Sequence, residues 1–249
     1  MPKRFFTSSN KPEGVSSDDY VRASYYVEAI KSIVQIAYES IYVIDYNAQN
    51  FLYVSPNPLF LCGMSPEEVM KLGYGFYMTH VPENELKMLL RINAVGFQFF
   101  NRQPKEERHL FSISYDSHIL NNGESVLINH KLTPLAMDRN GHMWLGVCYV
   151  SMSNNDCAGN IQVRKAGQSS YWSYEPAIDR WIEKEGIKLT DREKEVLMLS
   201  ARGLTVDEIA NRVHRAKDSI KSRRRAIFEK LGVSSISEAI AFAVNYKLI

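Results

Sequence analysis

The sequence predicts an α+β N-terminal part built on an antiparallel sheet, followed by an all-α C-terminal part with four helices. Three observations carry this prediction: two consecutive β-type runs lie between helical segments before residue 100, three β-type runs follow one another over 109–152, and the pattern is purely helical beyond Gly186. The 249 residues exceed one domain of roughly 150, so we expect two domains. With 45% hydrophobic and 23% charged residues, the composition is that of an ordinary folded domain.

The first expected domain covers residues 18–153, after a stretch at 1–17 rich in Ser, Lys and Pro that we expect to be a flexible tail. Apolar residues at helical spacing predict a helix over 18–39, and a Ser-Pro-Glu-Glu helix start lies at 65–68. A longer helix is expected after Pro82. Five β-type runs predict strands at 41–44, 51–54, 109–116, 125–134 and 143–152. The packed core should contain the large apolar residues Phe76, Phe97, Phe111, Leu127, Trp144 and Val147.

Residues 154–186 are expected to form a linker, with a hairpin over 161–174 and a connecting helix over 175–185. The last expected domain is 187–249. Three capping boxes, Thr190–Glu193, Thr205–Glu208 and Ser235–Glu238, each precede an apolar helical pattern. Together with Gly203 and Gly232, which fall just past helix ends, and with the apolar pattern after Ala216, they predict four helices, at 191–201, 206–213, 217–230 and 235–246. The short link between the second and third helices is typical of a helix-turn-helix.

Charge is distributed unevenly along the chain. The last 63 residues carry 13 Lys and Arg against 8 Asp and Glu, a net charge of +5, whereas residues 1–186 carry −3. A basic end on a slightly acidic body indicates that the C-terminal part meets a polyanion.

The third C-terminal helix indicates which polyanion this is. Ile220, Ile227 and Leu231 form a narrow apolar stripe. On another face, Lys217, Lys221 and Arg225 are spaced by four and are expected to have no acidic partners. Such a helix suits the major groove of DNA, where guanine accepts two hydrogen bonds from Arg or Lys.

Several short motifs follow one another here: Leu-Thr-x-Arg-Glu at 189–193, Gly-Leu-Thr at 203–205, Glu-Ile-Ala at 208–210, Ser-Ile-Lys at 219–221 and Lys-Leu-Gly-Val at 230–233. The segment resembles the LuxR-type helix-turn-helix of bacterial transcription regulators. In that family the third helix reads the major groove and the fourth commonly mediates dimerisation. The resemblance implies DNA-binding residues Thr205, Arg215, Lys217, Lys221, Ser222, Arg223, Arg224 and Arg225. Lys221, Ser222 and Arg225 match the base-reading positions.

The segment departs from the family at three places. Ala216 stands where Ser or Thr usually caps the third helix, and Val206-Asp207 replaces a basic or amide pair. Arg223 replaces a common His. We therefore expect the phosphate contacts to have moved toward His214, Arg215, Lys217 and Arg223.

The N-terminal domain resembles the PAS family in four local steps: Tyr-Val-Ile-Asp at 42–45, Tyr-Val-Ser-Pro-Asn at 53–57, Cys-Gly-Met-Ser-Pro-Glu-Glu at 62–68 and His-Val-Pro-Glu-Asn at 80–84. Domains of this family sense ligands, bind cofactors or pair with one another. The Asn-Cys-Arg-Phe motif of flavin photosensors is missing, and neither paired Cys and His spacings nor a distinctive axial His indicates a metal or haem. We expect no cofactor and no metal; a small-molecule cavity stays open as an alternative to a packed core.

The sequence as a whole predicts a cytoplasmic transcription regulator that binds double-stranded DNA as a homodimer and does not enter a membrane. A response-regulator receiver domain is disfavoured, since no acidic pair follows a first strand, and no nucleophile–base pattern favours an enzyme. One alternative keeps the DNA-binding helices but makes the PAS-like domain a protein-interaction surface without small-molecule sensing.

Overall fold

A computed structural model of the chain describes residues 5–121, 123–246 and 248–249. It divides into two compact units, one ending at Lys184 and the other spanning Glu185–Ile249. The first is an antiparallel sheet with helices and the second is helical, so the α+β fold predicted from the sequence is confirmed. None of the described helices is both long and apolar enough to cross a membrane.

The sheet of the first unit has eight strands in the order β2-β1-β5-β4-β3-β6-β7-β8, and all neighbours are antiparallel. The strands are β1 Ser40–Asp45, β2 Asn50–Val54, β3 Phe111–Asn121, β4 Glu124–Met137, β5 Met143–Met152, β6 Gly159–Lys165, β7 Tyr171–Glu175 and β8 Arg180–Lys184. The helices are α1 Ser17–Val34, α2 Pro58–Leu61, α3 Pro66–Leu72, α4 Gly75–His80 and α5 Glu83–Asn101. A 3₁₀ helix covers Lys105–Leu110. The five strands predicted from the sequence are all present.

Both faces of the sheet are covered in part. The larger core lies between the sheet and α2–α5 and includes the fully buried Phe60, Phe76 and Ile128. The smaller core lies under α1, where Ala23 and Ile30 pack with strand residues. The predicted core residues are divided between clusters: Phe76 and Phe97 lie in the larger core, while Trp144 and the half-buried Val147 lie under α1. Leu127 is also half-buried.

The connecting helix expected over 175–185 is wrong, because this segment forms strand β8. Asp179 adopts a left-handed backbone conformation that interrupts any helix there, and the following residues pair with β7, placing Trp181 opposite Tyr174. The Trp181 ring lies 5.2 Å from that of Phe99 on α5. The expected hairpin over 161–174 is present as β6 and β7, so much of the expected linker extends the sheet.

Residues 5–13, which we call the N-terminal segment, are packed against the first unit, in contrast to the flexible tail expected over 1–17. Residues 1–4 of that tail lie outside the described residues. Phe5 is only 3% exposed, and Asn10 is buried. The Asn10 side chain exchanges two hydrogen bonds of 2.9 Å with the backbone of Met143, a contact that no local sequence signal predicts.

The second unit contains α6 Asp191–Ala201, α7 Val206–Arg212, α8 Lys217–Leu231 and α9 Ile236–Asn245. The capping boxes predicted at Thr190 and Thr205 are both formed. Gly203 and Gly232 supply the left-handed conformation that ends α6 and α8. The helices pack around Leu197, Ile209, Ile220 and Ile227, which are fully buried.

Candidate nucleic-acid interface

Helix α8 is amphipathic in the way the sequence predicts. Ile220, Ile227 and Leu231 are buried in the core of the second unit. These three residues fix the rotation of the helix about its axis, because an apolar stripe must face the core. Its polar face, which carries Lys217, Lys221 and Arg225, is exposed.

The eight residues predicted to bind DNA fall into two groups by exposure. Arg223 and Arg224 are half-buried, as expected if their stems pack beside the apolar stripe. The Arg224 guanidinium lies over the Phe228 ring, 6.0 Å from its centroid. The other six are exposed: Thr205, Arg215, Lys217, Lys221, Ser222 and Arg225.

The expectation that the basic face of α8 has no acidic partners is wrong for two of its three residues. Lys217 Nζ lies 2.7 Å from Asp207 Oδ1 on α7, and Lys221 Nζ lies 3.4 Å from Asp218 Oδ1 one turn earlier. Both are exposed ion pairs, so each contributes only about 0–1 kcal/mol to stability. A lysine of this kind can exchange its carboxylate partner for a phosphate at little cost.

Arg225 differs from the two lysines. Within the part of the chain that the structure describes, its guanidinium has no hydrogen-bond or ion-pair partner. Five N–H donors in a fixed planar fork are therefore available to a ligand. This is the arrangement required for bidentate recognition of guanine.

The start of α8 has no side-chain cap. Ala216 occupies the cap position, and no side chain accepts a hydrogen bond from the first-turn amides there. Uncapped amides at a helix N-terminus carry partial positive charge and bind anions readily. Lys217 adds a full charge at the same end of the helix.

Thr205 has a different role from the one its exposure suggests. Its Oγ1 accepts a hydrogen bond from the Glu208 amide and donates one of 2.8 Å to the Glu208 carboxylate. These bonds and the backbone contact of Thr205 with Glu208 lower the pKa of that carboxyl below its usual value. The hydroxyl thus caps α7 and sets the direction from which this helix approaches α8.

Arg192 was not among the residues predicted from the sequence. It is exposed at the start of α6 and lines a groove between α6 and α8, with Ser222 and Arg223 on the opposite side. Arg192 belongs to the Leu-Thr-x-Arg-Glu motif, in which Thr190 and Glu193 form a capping box. Nothing else in the sequence singles out Arg192. The groove thus has two basic side chains, Arg192 and Arg223, beside Ser222, and the acidic Asp191 and Glu193 also line it.

An ion pair joins the start of α6 to the end of α8. Lys230 Nζ lies 2.7 Å from Oε1 of Glu193, a nearly buried carboxylate that also caps its own helix through Thr190. Burial alone would raise the pKa of Glu193, but hydrogen bonds from Lys230 and Thr190 outweigh it and hold that pKa below its usual value. This pair fixes the groove between α6 and α8.

A family model supports this interpretation of the second unit. The model described as "GerE: Bacterial regulatory proteins, luxR family" matches residues 188–243, which include α6, α7, α8 and most of α9. Residues 188–243 therefore form a helix-turn-helix domain of the LuxR type. No curated protein matches the chain.

Solved structures were also compared with the chain. The response regulator ChrA of a heme-sensing two-component system is 30% identical over 26% of this chain and 33% of its own, with a TM-score of 0.25. This match thus spans about a third of ChrA. The Vibrio cholerae VqmA dimer, described among LuxR-type receptors, is 17% identical over 89% of this chain and 88% of its own, with a TM-score of 0.31. The N-terminal domain of a Marinobacter aquaeolei diguanylate cyclase with a PAS/PAC sensor is 15% identical over 46% and 94%, with a TM-score of 0.34.

Proposed function

We propose that the chain is a homodimeric transcription regulator whose α8 enters the major groove of DNA and whose N-terminal unit modulates DNA binding. The observation that carries the proposal is the exposed Arg225 on the polar face of a helix that belongs to the LuxR-type domain. Lys221 and Ser222 lie on the same exposed surface. These three residues are the base-contacting set in the proposal.

A second set positions the domain on the phosphate backbone. The uncapped start of α8, Lys217 and Arg215 form one phosphate contact region, and Arg192 with Arg223 forms another along the groove. Phosphate contacts fix register and orientation without reading sequence, whereas base contacts carry specificity.

The DNA-binding proposal is tested with a site selected by the full-length chain from random DNA. Arg225→Ala should cost about 1–3 kcal/mol on that site and relax the preference at one base pair, while binding to scrambled DNA changes little. Arg202→Ala, an exposed arginine on the turn after α6, is the matched control and should affect both DNAs equally. Equal loss on both DNAs for Arg225→Ala would overturn base reading by this residue.

The homodimer proposal rests on α1. Val21 and Tyr25 are 57% and 69% exposed and point away from the face on which Ala23 and Ile30 are buried. Exposed apolar residues clustered on one face of a helix are typical of an interface. A second copy of the chain is the proposed occupant, and a symmetric dimer should bind two inverted half-sites.

Sedimentation of the full chain tests the dimer. The dimer would be contradicted if the protein sedimented at micromolar concentration with the mass of one chain, 28.6 kDa, and if its complex with DNA contained a single chain. Tyr25→Glu should produce monomers and weaken binding to the two half-sites. Leu72→Glu also places a charge on an exposed apolar residue, on α3, and should leave the dimer intact.

A further inference from the structure

The larger core of the N-terminal unit contains a cavity of about 70 Å³, bounded by the sheet, α4, α5 and the N-terminal segment. Ten of its 22 lining residues are aromatic, and none of the 22 carries a formal charge at neutral pH. Because a water-sized atom needs about 10–15 Å³ in this measure, the cavity has room for about five to seven non-hydrogen atoms. That size suits one six-membered ring.

One polar group in the wall is unsatisfied. The Tyr46 hydroxyl is buried and has no hydrogen-bond partner among the described residues. By contrast, the hydroxyls of Tyr42 and Tyr77, also in the wall, bond each other at 2.7 Å. An unpaired buried hydroxyl is costly, so a ligand that hydrogen-bonds to Tyr46 recovers free energy.

The electrostatics of the wall exclude a charged ligand. Burial raises the pKa of Tyr46 well above its usual value and raises the pKa of the Cys148 thiol to about 12, so both groups are neutral. Among the described residues, no basic or acidic side chain lines the cavity to compensate an ion. A buried charge without a partner is strongly disfavoured.

The N-terminal segment supplies part of the wall from outside the sheet. The Phe5 ring lies 5.4 Å from that of Tyr74 and 5.6 Å from that of Tyr77, and Phe6 packs edge-on against Tyr46 with centroids 6.0 Å apart. Four hydrogen bonds tie the segment down: two join Asn10 to Met143, one joins Asn101 to the Ser9 carbonyl, and one joins the Glu13 amide to Asp138.

This wall is the easiest one to open. The other walls belong to paired strands or to helices that must break many backbone hydrogen bonds to move, whereas the segment is held by a few side-chain contacts. Local opening occurs where such contacts are few. We propose that the N-terminal segment opens and closes the cavity. A small uncharged single-ring molecule enters when Phe5 moves away and forms a hydrogen bond with the Tyr46 hydroxyl. The molecule is retained while the two Asn10–Met143 hydrogen bonds hold the segment in place.

The proposal rests on the proposed function only in that the N-terminal unit modulates DNA binding. Phenol is the probe and benzoate is its charged counterpart of similar size. Binding to the full chain is followed by tryptophan fluorescence, since Trp172 and Trp181 contact Phe99 in the cavity wall. Phenol should bind saturably, and benzoate should bind at least about tenfold more weakly.

Two pairs of variants test the residues. Tyr46→Phe should weaken phenol binding about two- to tenfold, while Tyr77→Phe, whose hydroxyl is already bonded within the protein, should leave the Kd for phenol unchanged. Asn10→Ala should raise the association and dissociation rates of phenol together by about tenfold in stopped-flow measurements. The exposed neighbour Lys11 provides the control, since Lys11→Ala should leave both rates unchanged.

Three results would overturn the proposal: no saturable phenol binding, equal affinity for benzoate, or wild-type phenol rates in Asn10→Ala. If that variant does not fold, Phe5→Leu, which keeps an apolar side chain but shortens the wall, should give the same faster exchange. A DNA titration separates the two proposals. Phenol binding that leaves DNA affinity unchanged supports the site and contradicts modulation by it, whereas DNA binding without phenol binding contradicts the site alone.

Discussion

Lys217 at the start of α8 and Asp207 in the first turn of α7 form an ion pair across the two helices of the helix-turn-helix, with Nζ 2.7 Å from Oδ1. The pair is half-exposed, so it contributes little to stability. Under the proposed function the pair should matter more for DNA binding, because Asp207 places a negative charge beside the proposed phosphate contact Lys217. A phosphate must compete with this carboxylate for the lysine.

Asp207→Asn should therefore strengthen DNA binding on all sequences. Freeing one lysine for phosphate should steepen the dependence of log K on log salt by about one unit. The gain should shrink when Lys217→Ala is already present, which a double-mutant cycle of DNA titrations measures. Glu195→Gln removes an exposed charge elsewhere on the domain and controls for net charge. An equal gain from both substitutions would show that the ion pair is irrelevant.

Ala216→Ser should stabilise α8 by about 0.5–2 kcal/mol, because serine supplies a side-chain acceptor to a first turn in which only the Ala216 carbonyl accepts from the Ser219 amide. Asp218 does not provide this cap. Hydrogen exchange of the α8 amides is the measurement of choice, since a chain of two units need not unfold in one step. Ala226→Ser makes the same change inside the helix and should destabilise it slightly. Unchanged protection in Ala216→Ser would contradict this account of the helix start.

His214 occupies the position after α7 that Gly203 and Gly232 occupy after α6 and α8. All three have positive φ, and each is followed by an amide that bonds the carbonyl five residues earlier, as Arg215 does to Ala210. The left-handed conformation costs a non-glycine residue about 1–2 kcal/mol, whereas glycine adds about 0.5–1 kcal/mol of unfolded-state entropy. The His214 ring is exposed, and the sequence predicts it as a phosphate contact.

His214→Gly should thus stabilise the LuxR-type domain by about 0.5–1 kcal/mol while weakening DNA binding on every sequence, since the ring is a predicted phosphate contact. Stability is measured by exchange protection of α7, and affinity by titration of selected and scrambled DNA. Gly232→Ala, the reverse change at an equivalent turn, should destabilise the domain. Full DNA affinity in His214→Gly would remove the histidine from the interface.

Features set by local chemistry could be predicted from the sequence. The capping box at Thr190 and the glycine at 203 act within a few residues of themselves, so the limits of α6 follow from sequence. The apolar stripe of α8 follows in the same way from spacing alone. The sequence therefore places the proposed base-contacting residues, Lys221, Ser222 and Arg225, on the exposed side of α8 without knowledge of the fold.

Features set by distant contacts could not be predicted. The hydrogen bonds between Asn10 and Met143 join residues 133 positions apart in the sequence. Asp207 forms its ion pair with Lys217 from a different helix. The segment that forms β8 was predicted as part of a connecting helix with Trp181 on its apolar side, whereas pairing with β7 and the packing of Trp181 against Tyr174 make it a strand. Only the fold brings these partners together.

The last prediction concerns pH and His130, which is 1% exposed in the larger core and stacks on Tyr115 with ring centroids 4.9 Å apart. Burial lowers the pKa of His130 to about 3, so the folded protein keeps this ring neutral, whereas the unfolded chain protonates it near pH 6.5. Protonation therefore favours the unfolded state: the stability from the neutral ring is complete above pH 6.5 and falls by about 1.4 kcal/mol per unit as pH drops toward 3. Urea unfolding of the first unit, followed at several pH values by the fluorescence of Trp144, Trp172 and Trp181, should show a shallower loss of stability in acid for His130→Gln than for wild type. His109→Gln, at an exposed histidine, should retain the wild-type slope; identical slopes for all three proteins would mean that His130 is not held neutral by the core.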